Sequence, residues 1–246
     1  MSSALGDIFL FNSHRLYLHK IFELKSKSNS KLIFIFAAMK NLVLLLLFFL
    51  TLSCKTYNTS ILENGDLLFV PAVETGLSGA INNVTQTEKK TSYDHIGIVK
   101  KESDHLYVLH ASPKGGSQQQ KLDSFLKEQT KKGQKIDVYR LKAEYKSVIP
   151  NSVLKAETLV GKPYNFNYIL DDNSYYCSDF VERAFRENQI FTLEPMTFID
   201  PKTNKTNTFW AKFYQDKNLK VPEGEPGCNP NGLAASEKLN KVGEIK

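Results

Sequence analysis

A single cysteine, Cys177, stands at the head of an amphipathic run in Ser174-Tyr175-Tyr176-Cys177-Ser178-Asp179-Phe180-Val181, a setting suited to a nucleophilic thiol. Phe180, Val181, Ala184 and Phe185 follow at helical spacing, and Asp179 with Arg183 and Glu182 with Arg186 form i,i+4 ion pairs expected on the wet face. Cys177 therefore falls in the first helical turn. Unpaired backbone N–H groups and the positive end of the helix dipole favour thiolate there, so its pKa is expected to fall toward the reactive range. A thiol hydrolase also needs a base beside the sulfur and a third group that fixes the base's tautomer. The alternating runs Tyr93–Lys100 and His105–Ser112 read as a hairpin closed by Lys101–Asp104. A four-residue loop puts His95 directly opposite His110, with Cβ atoms ~5 Å apart on one face of the sheet. Gly97, two residues on, leaves open space beside the imidazole. Cys177, His95 and His110 are thus the candidate nucleophile, base and orienting group. His14, His19 and His105 have no comparable setting. Zinc is a rival use of two histidines and a thiolate, but no fourth ligand or HExxH-type spacing accompanies them, and neither metal nor cofactor is expected.

Several elements must bring these residues together. Gly65–Val70 reads as a buried strand stopped by Pro71, and Ile136–Leu141 as another. Ala72–Ser92, rich in Thr, Asn, Gly and Lys, reads as a long surface loop, either bordering a site or disordered. Gly115-Gly116 marks a turn too sparse in glycine to cradle phosphate, and Leu122, Phe125 and Leu126 mark a short helix. A helix over Ser152–Val160 stops before Gly161-Lys162-Pro163, and the Cys177 helix runs to about Asn188. Thr208–Lys217 carries Phe209, Trp210, Phe213 and Tyr214, which serve either as core or as one wall of a ligand groove. Strands mixed with segregated helices give an α+β plan.

Ahead of all this, Met39-Lys40-Asn41, the apolar core Leu42–Leu52 and Ser53-Cys54 read as a bacterial signal peptide whose core is too short to span a bilayer. Leu52-Ser53-Cys54 resembles a lipobox, so Cys54 is the expected lipidation site and the protein an envelope lipoprotein, membrane-anchored and facing the periplasm or the surface. Residues 1–38 then read as a mis-annotated upstream extension, 39–53 as signal peptide, 54–64 as a tether, 65–217 as the hydrolase domain and 218–246 as a C-terminal tail. From Cys54 onward the chain has 26 basic and 24 acidic residues, a net of +2, which removes any compositional argument for nucleic acid. Cys228, in the turn-rich Pro222–Pro230, is expected to be a free loop thiol. A disulfide to Cys177 would consume the nucleophile.

Three pieces together resemble the circularly permuted papain-like hydrolases of the NlpC superfamily, of the YiiX/YebB type. They are Gly65-Asp66-Leu67-Leu68-Phe69, Asp94-His95-Ile96-Gly97-Ile98-Val99, and Gly161-Lys162-Pro163-Tyr164-Asn165 with Tyr176-Cys177-Ser178-Asp179-Phe180-Val181. His95 precedes Cys177, which is the permuted order. The resemblance implies a papain-like α+β fold, a cysteine helix packed on an antiparallel sheet that bears the histidine. It also implies Cys177 as nucleophile, His95 as general base and His110 as third group, a position where permuted relatives more often carry an acid. Tyr164 matches the family's Pro-Tyr tyrosine and would form an oxyanion hole with the Cys177 backbone N–H. Activity on peptide or amide substrates, peptidoglycan stem peptides first, is what the resemblance and the envelope address imply. A lipid-directed acyltransferase or thioesterase with a deep apolar channel, and a non-catalytic binding lipoprotein, are the alternatives.

Overall fold

The computed structural model describes Lys40, residues 57–130 and residues 134–245. The expected signal peptide, apart from Lys40, and the expected lipidation site Cys54 lie outside the described residues. Six antiparallel strands form the central sheet: β1 (Leu67–Pro71), β2 (Tyr93–Glu102), β3 (His105–Ser112), β4 (Gly116–Lys121), β5 (Ile136–Leu141) and, last in the chain, a strand over Leu239–Ile245. Their spatial order is Leu239–Ile245, β5, β1, β2, β3, β4.

Period-two alternation sends side chains to two separate cores. Leu67, Phe69, Ile96, Ile98, Leu109, Ala111 and Leu141 pack against α3 (Ile149–Thr158) and α4 (Cys177–Phe185), through Val153, Ala156, Phe180, Val181, Ala184 and Phe185. Leu68, Val70, Val99, Val108 and Val138 pack against Leu122, Phe125 and Leu126 of α2 (Leu122–Gln129). Phe125, Phe180 and Phe185 are fully buried, each contributing about 1.5–3 kcal/mol of hydrophobic stabilisation. The mixed plan of sheet and helices is the α+β architecture expected.

Four expectations are corrected. Residues 72–92 are not one long loop, because α1 (Gly76–Val84) lies within them; Leu77, Ala80, Ile81 and Val84 recur at helical spacing behind a screen of Gly, Ser and Asn. The tether packs from Tyr57 onward. Leu62 is buried, and the Ile61 carbonyl accepts from Arg140, which also pairs with Glu63 and Asp66. Residues 218–246 are not a tail: after β6 (Glu194–Pro195), β7 (Ile199–Asp200), β8 (Lys205–Thr206) and α5 (Thr208–Gln215) come β9 (Pro226–Gly227), α6 (Pro230–Ala234) and β10 (Leu239–Ile245). As an edge strand exposed over its middle, β10 carries too few apolar residues to announce itself. Finally, the α4 ion pairs form, but their acids lie inside. Asp179 and Glu182 are buried, because both sides of this helix are covered.

Candidate active site

The Cys177 site is assembled from a loop, a helix start and a bulge. Parallel bridging of Tyr164 and Tyr175 ties the Pro163–Asn165 strip to the approach to α4, through Tyr175 N–H to Pro163 O (3.1 Å) and Asn165 N–H to Tyr175 O (3.0 Å). Tyr176 is the extended N-cap and offers no side-chain cap, so the first-turn amides stay available for the sulfur. Across from it, β1 and β2 pair irregularly: Pro71 faces Tyr93 while Val70 faces His95, so Asp94 is the extra residue of a β-bulge. The Cys177 Sγ points at the Asp94 carbonyl oxygen, 3.8 Å away. Burial pushes the thiol up to about 12, with the Asp94 carboxylate adding to the rise; the amides of Ser178, Ile96 and Cys177 pull the other way and lose. The expected depression of this pKa is thus reversed. Helix-end stabilisation is present, but enclosure outweighs it.

The hairpin is tighter than expected. Its loop is Ser103-Asp104, and Lys100 faces Tyr107 rather than His105. Continuing this register puts Gly97, not His95, opposite His110. A shift of two residues preserves the face, so His95 reaches His110 diagonally, Nε2 to Nδ1 at 2.9 Å. A Cβ on Gly97 would lie 3.2 Å from His110 Cβ and 2.4 Å from Val108 Cγ1, so glycine is required where the diagonal crosses. Both imidazoles pack on Phe125, with ring centroids 6.0 and 5.1 Å from it.

The network beyond His110 fixes which nitrogen carries which proton. Gln120 Nε2 donates to Glu128 Oε2 (3.0 Å), so Gln120 Oε1 faces His110 Nε2 (3.1 Å) and can only accept. His110 Nε2 must then hold the hydrogen, and neutral His110 accepts at Nδ1. Consequently His95 donates from Nε2 and keeps its lone pair on Nδ1, the atom a general base needs. Burial holds His110 down to about 4, against partial opposition from Gln120 and Glu128; burial and the neighbouring His110 hold His95 well below its ordinary range. Both are neutral at pH 7.

This burial has a measurable consequence. A histidine whose folded pKa is depressed lends stability that is full above its unfolded value of 6.5 and is lost as pH falls toward 4. For His110 the loss is on the order of 3 kcal/mol by pH 4. Urea unfolding of wild type and His110→Gln at pH 7.5 and 4.5 is expected to show a clearly smaller acid loss in the variant; equal losses would refute the buried neutral state.

Sulfur and imidazoles do not touch. None of the hydrogen bonds among the described residues joins Sγ to a histidine nitrogen. Asp94 O is nevertheless bonded through one peptide unit to His95, so Sγ lies within about 7 Å of the His95 Cα. The imidazoles pack with Phe125 on the α2 side of the sheet, whereas Cys177 and its helix lie on the other side, so at rest the sulfur meets the histidine strand only at its backbone. Tyr164 lines the same cavity as Cys177, and burial pushes its phenol well up, the Cys177 thiol adding to the rise and the Cys177 backbone N–H opposing it. Cys228 is a free thiol in the loop between β9 and α6, and a buried one; its carbonyl accepts from Ser178 Oγ (3.0 Å).

A cavity of about 270 Å³ opens beside Cys177, walled by Ile81, Val84, Tyr164, Tyr168, Phe198 and Trp210. Trp210 is core and wall at once, buried with its Nε1–H donated to Ala80 O (3.2 Å). Sequence reasoning missed Gln120 and Glu128, which a period-two reading of Gly116–Lys121 beside the α2 pattern would have placed on the histidine face. It also left Asp94 without a role.

Residues 61–243 match the family described as "Permuted papain-like amidase enzyme, YaeF/YiiX, C92 family". The chain belongs to this family. This permuted papain-like amidase is accordingly a cysteine hydrolase of the amidase and peptidase type. Its fold is similar to the crystal structure of metalloprotein YiiX from Escherichia coli O157:H7, with a TM-score of 0.60 and 22% identity over 74% of this chain and 97% of that one. No curated protein is significantly similar to it. The word metalloprotein belongs to that relative. In this amidase no group of three or more His, Cys, Asp or Glu suited to a metal occurs among the described residues.

Proposed function

We propose that this amidase is a cell-envelope lipoprotein that cleaves amide bonds with Cys177 as nucleophile, His95 as general base and His110 as the group that orients it. The observation that carries the reading is the His95–His110 pair, which leaves a lone pair on His95 Nδ1 one residue from the carbonyl that holds Sγ. On substrate binding, Sγ leaves Asp94 O, the His95 side chain turns from the α2 side of the sheet to meet it, and the thiol proton passes to Nδ1 as sulfur attacks the carbonyl carbon. The C–N bond then breaks as His95 returns that proton to the departing amine, and water, activated by the same imidazole, hydrolyses the thioester. The Tyr164 hydroxyl and the Cys177 backbone N–H receive the developing oxyanion. With thiol and imidazole both neutral at rest, proton transfer accompanies attack rather than preceding it. Lipidation at Cys54 would tether the enzyme to the membrane and bring peptidoglycan stem peptides within reach.

A second reading, lipid-directed acyl transfer or thioester hydrolysis, is favoured by the apolar wall of the cavity. One experiment separates the two: purified enzyme is incubated with muropeptides and with long-chain acyl esters and amides, and the products are identified by mass. Muropeptide cleavage supports the first reading, and fatty-acid release alone supports the second. Cleavage of neither overturns both. Mass analysis of the N-terminal peptide is expected to find diacylglycerol on Cys54; an intact start at Met1 would refute the processing.

A further inference from the structure

Asp94 is the bulge residue whose carbonyl holds Sγ; it lines the Cys177 cavity, and its carboxylate acts electrostatically on the thiol. Its carboxylate has no cationic partner among the described residues. Those that line the cavity include no Lys, Arg or His; the other charged one is Glu194, an exposed residue. Partial burial pushes the Asp94 carboxyl above its usual range, and only the Ser78 hydroxyl and the residue's own backbone N–H counter this. Ser78 is itself anchored, its hydroxyl oxygen accepting from Val73 N–H at 2.7 Å. A half-buried carboxylate without a counter-ion is costly unless a cation arrives from outside. The opposite walls are the rings of Tyr164, Tyr168, Tyr176 and Trp210, surfaces that also attract cations.

We infer that Asp94 is a specificity-determining residue that receives a free ammonium group carried on the acyl side of the substrate, next to the scissile carbonyl. The placement follows from connectivity: the carboxylate and the carbonyl that positions the attacking sulfur belong to one residue, so a cation paired with the carboxylate lies beside the carbon that the sulfur attacks. The ligand class is an amide with an unblocked α-amine and an apolar or aromatic side chain, the latter filling the pocket between Ile81, Val84 and Phe198. This rests on Cys177 being the nucleophile, as proposed above.

The test uses the full chain and two small probes, L-phenylalaninamide, which is cationic, and N-acetyl-L-phenylalaninamide, which is neutral, with binding read by calorimetry. Wild type is expected to bind the cation ~10-fold or more tightly than the neutral probe. Asp94→Asn, nearly isosteric, is expected to bring the ratio within about threefold, Ser78→Ala to lower it partway, and Asp94→Glu to restore part of it. Equal binding of the two probes by wild type, binding of neither, or an undiminished ratio in Asp94→Asn would overturn the inference. Release of 4-nitroaniline from L-phenylalanine 4-nitroanilide by wild type and Cys177→Ser is measured in parallel. Loss of the binding ratio with Cys177-dependent release intact refutes only the role of Asp94; a binding ratio without such release counts against the catalytic reading.

Discussion

Replacing Cys177 with serine is expected to lower kcat/KM for amide hydrolysis by at least ~10³-fold, the scale on which hydrolases lose activity when the nucleophile is removed. Serine differs by one atom at a site that is 5% exposed, so the fold is expected to survive and the loss to be chemical. A hydroxyl is a poorer nucleophile than a thiol whose proton has a waiting acceptor, and a buried hydroxyl is harder still to deprotonate. Because burial holds the thiol near 12, the resting enzyme is also expected to react slowly with iodoacetamide at pH 7, and faster as pH rises. Thermal melts matching wild type, with activity gone, are the supporting result. Cys177→Ser retaining a tenth or more of wild-type kcat/KM would remove Cys177 from the mechanism.

The second large effect concerns the base. His95→Ala is expected to cost about 10²–10⁴ in kcat/KM, the range attributed to a positioned general base. The pH profile distinguishes this from a packing defect. Protonation of His95 silences the base, and both burial and the adjacent His110 hold its pKa well below the ordinary value. Wild-type kcat/KM is therefore expected to stay level as pH falls through 6.5 and to decline only at lower pH. In His95→Ala the residual rate should lack that acid limb. A wild-type limb centred at or above 6.5, or an unchanged limb in the variant, would show that some other group is titrating.

Much of this arrangement is legible from spacing because spacing fixes parity. His95 and His110 share a face under either a four-residue or a two-residue loop, so the pair survived an error in register that would have been fatal at one residue. The start of α4 was legible for a similar reason, its apolar stripe beginning at Phe180 regardless of what covers it. Other features depend on enclosure, which no local pattern reports. Cys177 has the amides that lower a thiol pKa, yet the surrounding rings exclude water and reverse the sign. Asp179 and Glu182 look solvent-facing until α4 is seen to be covered on both sides. Gln120 and Glu128 acquire meaning only when β4 and α2 close around His110. The helix over Gly76–Val84 was hidden because Gly, Ser and Asn mask a stripe of only four apolar residues.

The placement of the last elements has a consequence for biogenesis. Cys228, Asn229, Pro230 and Gly232 wall the cavity, Asn231 Oδ1 accepts from Tyr93 N–H at 2.9 Å near the start of the histidine strand, and β10 pairs with β5 in the main sheet. These pieces are synthesised after every residue of the proposed triad, so a nascent chain still short of residue 226 holds Cys177, His95 and His110 without the wall that encloses them. The enclosed cavity of the hydrolase thus forms only after its proposed catalytic residues are already in place, once residues 226–232 can pack against them.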